Sequence, residues 1–469
     1  MKKTLLCTVF LALTCGGIQA QTADVSHDFQ QVRFSSTNLD GSQTEDFQVA
    51  GVFNHVSGNG QYAVGYDDQT LTTNTGSAFL WRSSNPDVLE QLNKTYSRVS
   101  ACDVSNNGII VGSFELRGNS TDYGISFPGY KHVDSDAWLP LPVPDQYSIR
   151  NACRQDFAEE ARAITADGQV IAGTIHYRVG EKEVLGSMAD IAYNYLTVWE
   201  RKDDGYGLKE CYTDLGKPGN NLLYDEASKT FKDTGREVNY QIFMVRDISN
   251  DGRTIVGMNV ADCGGFNPAF VRDGKLYQIF SCGEEGDDYD SFNFNGGTIM
   301  TIDANGNMYG YFTDGELQNH YFVFSATNEL TYLDQAVTCA DKQGNRYSQY
   351  ARSMSPAFDC SEDGVVLVGA GVGDLGFGPY NYPLVVTNGS SSAVENVQDA
   401  AKAGVKVDFD GTTIRLKGAW LYAQVYNAAG TRVAGGSTGA SFNLSSYPAG
   451  AYIVKVATMN GVTSFKVAK

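Results

Sequence analysis

Val245-Arg246-Asp247-Ile248-Ser249-Asn250-Asp251-Gly252-Arg253-Thr254-Ile255-Val256-Gly257 sets apolar and polar positions on either side of an Asp-Gly pair. This pattern predicts a strand, a tight turn and a second strand, because both turn residues must tolerate φ > 0. The same arrangement recurs five more times. It reads His55-Val56-Ser57-Gly58-Asn59-Gly60 with Ala63-Val64-Gly65, and Asp103-Val104-Ser105-Asn106-Asn107-Gly108 with Ile110-Val111-Gly112. It reads Ala163-Ile164-Thr165-Ala166-Asp167-Gly168 with Ile171-Ala172-Gly173, then Thr301-Ile302-Asp303-Ala304-Asn305-Gly306 ending at Gly310. The sixth copy is Asp359-Cys360-Ser361-Glu362-Asp363-Gly364 with Leu367-Val368-Gly369.

The turn glycines lie 48, 60, 84, 54 and 58 residues apart, a spacing that suits four-stranded blades with variable loops. A third strand is expected at Ala78–Trp81, Ala137–Leu139, Thr197–Trp199, Ala269–Val271, Phe322–Phe324 and Leu384–Val386. A fourth, reversed strand follows an Asp/Gly turn, best seen at Asp273-Gly274 before Lys275–Ile279. Six copies predict an all-β fold with a six-bladed β-propeller over residues 45–387. One blade cannot bury both faces alone, whereas neighbours packed in a ring can. Residues 21–44 form an N-terminal segment, and ring closure is expected from Phe29–Phe34 or Phe47–Phe53. Ser57, Ser105, Thr165, Ser249 and Ser361 stand two residues before the Asn or Asp, where a hydroxyl bonds turn backbone.

The pairing of Ile-Ser-x-Asp-Gly-x-x-Ile-Val-Gly with a later Ala-Phe-x-Trp resembles the extracellular HAF-type repeats, which implies a propeller. The second and fifth copies depart from it by ending one residue early, at Gly112 and Gly310. The largest insertion falls between Gly168 and Gly252, with Tyr193–Tyr195 and the polar run Lys202–Thr234; Gly283–Asp290 is a second. Long loops on one rim of a rigid scaffold are the expected binding surface.

Residues 388–404 are small and polar and read as a linker. Residues 405–469 carry a different pattern of short strands, with turns at Asn427–Gly430 and Tyr447–Gly450, and predict a small Ig-like β-sandwich. This segment resembles the C-terminal sorting domain of type IX secretion substrates in Bacteroidetes. The residues that carry the resemblance include Gly430, Pro448, Gly450, Tyr452, Lys455, Lys466 and Lys469. The resemblance implies recognition by the type IX secretion machinery, passage through the outer membrane, removal of the domain, and surface attachment or release.

At the other end, Met1-Lys2-Lys3, an apolar run from Thr4 to Leu13 and Ile18-Gln19-Ala20 read as a signal peptide over residues 1–20. No other apolar run approaches the ~20 residues a membrane helix needs. The chain is thus expected to be secreted or held at the cell surface. The net charge of −19 is unevenly placed: residues 405–469 carry +5 and residues 21–387 carry −25. An acidic body of that kind repels nucleic acid and anionic membrane. Seven cysteines follow the signal peptide, an odd number; Cys263 with Cys282 and Cys339 with Cys360 are the nearest sequential pairs. No Cys-x-x-Cys or Cys/His cluster occurs in sequence, which argues against a structural zinc site.

Catalytic signatures are weak. Asp251 abuts Gly252, whereas sialidase-type Asp boxes place a residue between them. Asp247, Ser249 and Asp251 mimic the start of a calcium loop, but the later ligand positions fall on Ile255 and Met258. The acidic run Asp287, Asp288 and Asp290 is the better calcium candidate; no other cofactor is expected. His55 occupies a register where other copies have Asp, Ala or Thr, which marks it as part of the turn or core. Gly435–Gly439 matches a nucleophile elbow on paper but lacks the strand-to-helix context. Three functions remain: a non-enzymatic propeller binding glycan, peptide or protein; a polysaccharide or peptide hydrolase or lyase with carboxylates such as Asp359 or Glu159; and a purely structural envelope component.

Overall fold

The computed structural model describes residues 25–34, 47–49, 51–66, 78–92, 99–116, 125–145, 160–184, 187–235, 237, 243–260, 266–280, 296–314, 317–348, 357–374, 379–387, 405–418, 422–427, 432–437, 441–458 and 461–469. All regular elements among them are strands, and no helix is long and apolar enough to cross a membrane. The chain divides into two units, Met1–Gly389 and Ser390–Lys469.

Each repeat forms a hairpin as expected, but with a different turn: only the glycine has φ > 0, and its N–H bonds the carbonyl three residues back, as Gly252 does Ser249, so the two residues before the glycine are the central ones. Gly60, Gly108, Gly168, Gly252, Gly306 and Gly364 adopt φ of 67–80°, open to glycine because it has no Cβ. In five copies the Ser or Thr hydroxyl donates to the turn Asn or Asp at 2.5–2.8 Å, as in Ser249 to Asp251. The same oxygen accepts the N–H that opens the second strand, Thr254 N to Ser249 Oγ at 2.9 Å for example. The shorter second and fifth copies take that N–H four residues on, at Ile109 and Asn307, instead of five.

The repeats build six antiparallel sheets whose inner strands are Val52–Val56, Val99–Val104, Glu160–Ile164, Phe243–Ile248, Gly296–Ile302 and Ala357–Cys360. The first five inner strands pack successively on one another, an extra hairpin bridges the fifth and the sixth, and the sixth packs on the first, so the sheets close a ring: a β-propeller. Val25–Asp28 pairs with Pro379–Thr387 and completes the last sheet, joining the two ends of the propeller chain. Closure therefore comes from a strand a few residues earlier than expected. Phe29, Phe34 and Phe53 are buried in the adjoining core instead, and Arg33–Phe34 pairs with Phe47–Gln48.

Between the fifth and sixth inner strands the ring holds an extra hairpin, Cys339–Ala340 with Arg346–Tyr347. Its turn repeats the fifth copy. Asn345 and Tyr347 donate to Asp341 Oδ2 at 2.8 and 3.2 Å, as Asn307 and Tyr309 do to Asp303 Oδ2 at 3.0 and 3.1 Å.

A second shared feature explains why five of the copies end in Gly. The pairing of each inner strand skips one residue: Asn54, Cys102, Arg162, Arg246, Met300 and Phe358 are β-bulges. The bulge drives an inner-strand carbonyl onto the second strand. A Cβ on Gly65, Gly112, Gly173, Gly257 or Gly310 would stand 2.0–2.4 Å from the oxygen of Val52, Ser100, Glu160, Met244 or Thr298.

The third strands form as expected in five sheets. In the second sheet the third strand is Ile125–His132, and Ala137–Leu139 instead leads into the short fourth strand Leu139–Pro140. Trp138 still reaches the core, stacked on Phe114 at 6.1 Å. The large insertion forms two hairpins. Val170–Val184 and Ser187–Lys202 run on as an arm in which residues 175–184 pair only with residues 187–195, about 30 Å at ~3.3 Å per residue. Asn221–Asp225 and Thr230–Asp233 widen the fourth sheet through parallel pairing with Lys275–Gln278. Strand alternation sends the arm and the chain between sheets to one face of the ring, and the Asp/Asn-Gly turns to the other.

The second unit packs Lys406–Phe409, Thr413–Lys417 and Ser441–Asn443 against a four-stranded sheet of Tyr422–Asn427, Arg432–Ser437, Ala451–Thr458 and Gly461–Ala468. Ile414, Phe442, Val425, Val454 and Val456 from both sheets fill its core, which makes it a β-sandwich.

Candidate functional site

In five of the six inner strands the residue that follows the bulge turns toward the centre of the ring. In chain order the positions after the bulge are His55, Asp103, Ala163, Asp247, Thr301 and Asp359, with Cys339 in the extra hairpin. All of them but Ala163, which is packed in the core shared by the third and fourth sheets, border a cavity of about 100 Å³ with Cys360, Glu362 and Asn250. Two of the three carboxylates and the imidazole meet: His55 Nδ1 lies 3.3 Å from Asp359 Oδ2 and 3.8 Å from Asp103 Oδ1.

Every one of these carboxylates also binds the main chain of the next blade. Asp103 Oδ2 accepts from Ile164 N at 2.8 Å, Asp247 Oδ2 from Ile302 N at 2.9 Å, and Asp359 Oδ2 from Val56 N at 2.9 Å. Their Oδ1 atoms accept from the following N–H of their own strands, Val104, Ile248 and Cys360. The Asp side chains are therefore staples between blades. At the turn face Glu362 accepts from Asn250 Nδ2 at 3.2 Å, a link between the fourth and sixth sheets.

Charge in this layer is strongly coupled. Burial opposes a charged His55, but Asp103, then Asp359 and Asp247, outweigh it and raise the imidazole to about 10. Burial raises Asp247 to about 6 against the pull of His55 and the Ile302 N–H. Burial also raises Asp103, opposed by His55. At neutral pH the imidazole of this layer is therefore charged. Cys339 and Cys360 lie unbonded beside it, with their thiols raised, Cys339 by burial and Cys360 by its hydrogen bond with Cys339. One ligand atom each from Cys339, Cys360 and Asp359 lies within 4.8 Å of the other two. The absence of a Cys/His motif in sequence thus hid a mixed cluster made by the extra hairpin and the adjoining inner strand of the sixth sheet.

A second polar layer uses the bulge residues. Arg162 Nε pairs with Glu160 Oε2 at 2.7 Å, and Glu160 also accepts from Ser113 at 3.4 Å and from the thiol of Cys102. Burial lowers Arg246, and the neighbouring Arg162 adds to that. The larger cleft, about 480 Å³, lies apart from both layers, between the first and second sheets. There Arg82 already bridges Glu90 at 2.7 Å and Asp134 at 3.0 Å.

The remaining expected residues are scattered. Asp247 faces the cavity, while Asp251 accepts from Ser249 and from Arg253 N, so these residues do not converge as a calcium loop does. Asp287, Asp288, Asp290, Glu159, Gly430 and the Cys263–Cys282 pair lie outside the described residues. His27 contacts Asp87 and His320 contacts Asp314, both away from the channel layer. In the second unit Lys469 Nζ donates to the carbonyls of Leu444, at 2.7 Å, Ser445 and Tyr447. Its main chain pairs both ways with Gly450, and Tyr452 donates to Pro448 O at 2.6 Å. Lys455 and Lys466 are exposed on the outer face of their sheet.

No protein-family model matches the chain, and no curated protein matches it either. Among solved structures it is similar to TolB from Acinetobacter baumannii, at 8% identity and a TM-score of 0.36, over 70% of this chain and 64% of that one. It is also similar to a TolB from Agrobacterium tumefaciens, at 10% identity and a TM-score of 0.35, over 78% and 99%. The propeller domain of the Trilobed protease from Pyrococcus furiosus gives 8% identity and a TM-score of 0.34, over 76% and 88%. These scores are low, and the propeller assignment stands on the closed ring of sheets described above.

Proposed function

We propose that the protein is a secreted or cell-surface β-propeller of six full blades that binds an extracellular glycan, peptide or protein without turning it over. The observation that carries this reading is the use made of the channel carboxylates. Asp103, Asp247 and Asp359 each accept a neighbouring blade's N–H, so the groups best placed for acid–base work already hold the ring together. The arm and the widened fourth sheet offer the variable surface that binding uses. The His55–Asp359 contact favours the second reading, a hydrolase or lyase acting on polysaccharide or peptide. A panel of such substrates with the full mature chain separates the two. Turnover that Asp359→Asn abolishes in a folded protein refutes the binding-only reading.

We propose further that the Ig-like C-terminal unit is a type IX sorting domain that delivers the propeller across the outer membrane. The docked Lys469 and the exposed Lys455 and Lys466 support it by giving the unit a fixed terminus and a basic face. Deleting residues 405–469 should trap the protein in the periplasm; surface display of the truncated chain contradicts the assignment.

A further inference from the structure

The channel wall carries chemistry that ligand binding on the loop face does not use. Cys339 comes from the extra hairpin, and Asp359 and Cys360 come from the adjoining inner strand of the sixth sheet. Their sulfur and oxygen atoms lie within 4.8 Å of one another. A tetrahedral zinc site with metal–sulfur bonds near 2.3 Å and metal–oxygen bonds near 2.1 Å sets its ligand atoms about 3.5–3.8 Å apart. Small side-chain rotations close that difference.

We propose that Cys339, Cys360 and Asp359 hold one thiophilic divalent cation of the zinc class, with the fourth coordination position open to the channel cavity. Three further observations point the same way. The cavity is bordered by the acidic side chains Asp103, Asp247, Asp303, Asp359 and Glu362 against only His55 and Lys342, so its wall favours a cation. Asp359 is already oriented by Val56 N, Cys360 N and His55, the kind of second layer that fixes a metal-ligating carboxylate. The extra hairpin has only two strands, which is marginal alone, and a metal would tie it to the neighbouring blade. A disulfide between the same sulfurs would tie the hairpin too, and the test below distinguishes it from a metal.

The binding step is a ligand exchange with no change of oxidation state. The hydrated dication loses water, both thiols lose their protons, and two metal–sulfur bonds and one metal–oxygen bond form. Two protons are released per metal bound.

The test uses the full mature chain, reduced and treated with chelator. Titration with Co²⁺ should saturate at one equivalent, give a thiolate-to-cobalt charge-transfer band and release two protons. One equivalent of Zn²⁺ should bleach the band. Cys339→Ser and Cys360→Ser should each abolish it, and Asp359→Asn should weaken affinity ~10–100-fold. Cys102→Ser and Cys211→Ser should leave it unchanged. A wild-type measurement guards against variants that fail to fold: Zn²⁺ should protect the Cys339 and Cys360 thiols, and not Cys211, from alkylation. The proposal is overturned by Co²⁺ binding without a charge-transfer band, by a band that survives Cys339→Ser, or by alkylation of both thiols at an undiminished rate in Zn²⁺. It is also overturned if the protein purified without reductant carries a Cys339–Cys360 disulfide and takes up no metal after reduction.

Discussion

Replacing Gly257 with alanine tests the link between the inner-strand bulge and the glycine that ends each repeat. A Cβ at this position would lie 2.0 Å from Met244 O and 3.3 Å from Arg246 N. An ordinary carbon–oxygen contact is about 3.2 Å, so more than an ångström must be recovered from the bulge itself. Overpacking of this kind costs about 1–3 kcal/mol, and a lost ladder hydrogen bond adds about 1 kcal/mol. The expected destabilisation is therefore about 2–4 kcal/mol, centred on Phe243–Ile248 and Thr254–Val260. Gly344 is the control: it has φ of 84°, and a methyl group added there would meet nothing within 4 Å, so Gly344→Ala should lose only about 1 kcal/mol to backbone strain. Urea unfolding monitored by hydrogen exchange reports both the size and the place of the effect. A ring of sheets need not unfold in one step, so protection in the fourth sheet is the better readout. If Gly257→Ala costs no more than Gly344→Ala, the close approach is not what requires glycine.

Other outcomes follow from the same geometry. Asp247, raised to about 6, is a carboxyl whose folded value exceeds its unfolded one, so stability should rise as pH falls from 6 toward 4. His55, raised to about 10, should support the fold below pH 6.5 and lose that support as pH rises through 10. Thermal melts across pH should show both trends, and His55→Gln should flatten the alkaline one. In the fourth sheet Gln278 Nε2 donates to Asn221 Oδ1 at 2.6 Å and Asn267 Nδ2 donates to Gln278 Oε1 at 2.9 Å, all buried. Asn221→Leu should cost about 2 kcal/mol by stranding a buried donor, seen as early exchange of Asn221–Asp233 amides. Lys469→Ala removes an ammonium from three carbonyls and should lower the second unit's stability by about 2 kcal/mol, read from its own melting transition.

Local rules made most of the ring legible. Asp/Asn-Gly turns, period-two strands and the hydroxyl ahead of each turn depend on residues close in sequence. The extra hairpin was hidden because Asp341-Lys342-Gln343-Gly344 lacks an Asn-Gly or Asp-Gly pair; its kinship shows only in the spacing of Asp, Gly, Asn and Tyr shared with Asp303–Tyr309. In the second sheet Pro128 and Gly129 break the strand pattern of Ile125–His132, and the aromatic marker Trp138 drew attention to the wrong segment. The channel layer was readable only in part. A polar position ahead of the apolar residue is visible in every copy except the third, where it is Ala163, but its convergence depends on closure between strands as distant as Val56 and Asp359. Cys339 and Cys360 were paired by nearness in sequence, whereas their neighbour Asp359 becomes relevant only through the fold.

The division of labour between a stapled channel and a variable face is tested most directly by one binding measurement. A ligand found by the extracellular panel is titrated against the wild-type chain, a chain with residues 178–192 of the arm replaced by a short Asn-Gly turn, and Asp359→Asn. The account predicts that shortening the arm weakens binding at least tenfold and that a folded Asp359→Asn binds as wild type does. Undiminished binding without the arm, together with loss of binding or turnover in Asp359→Asn, contradicts it and places function in the channel.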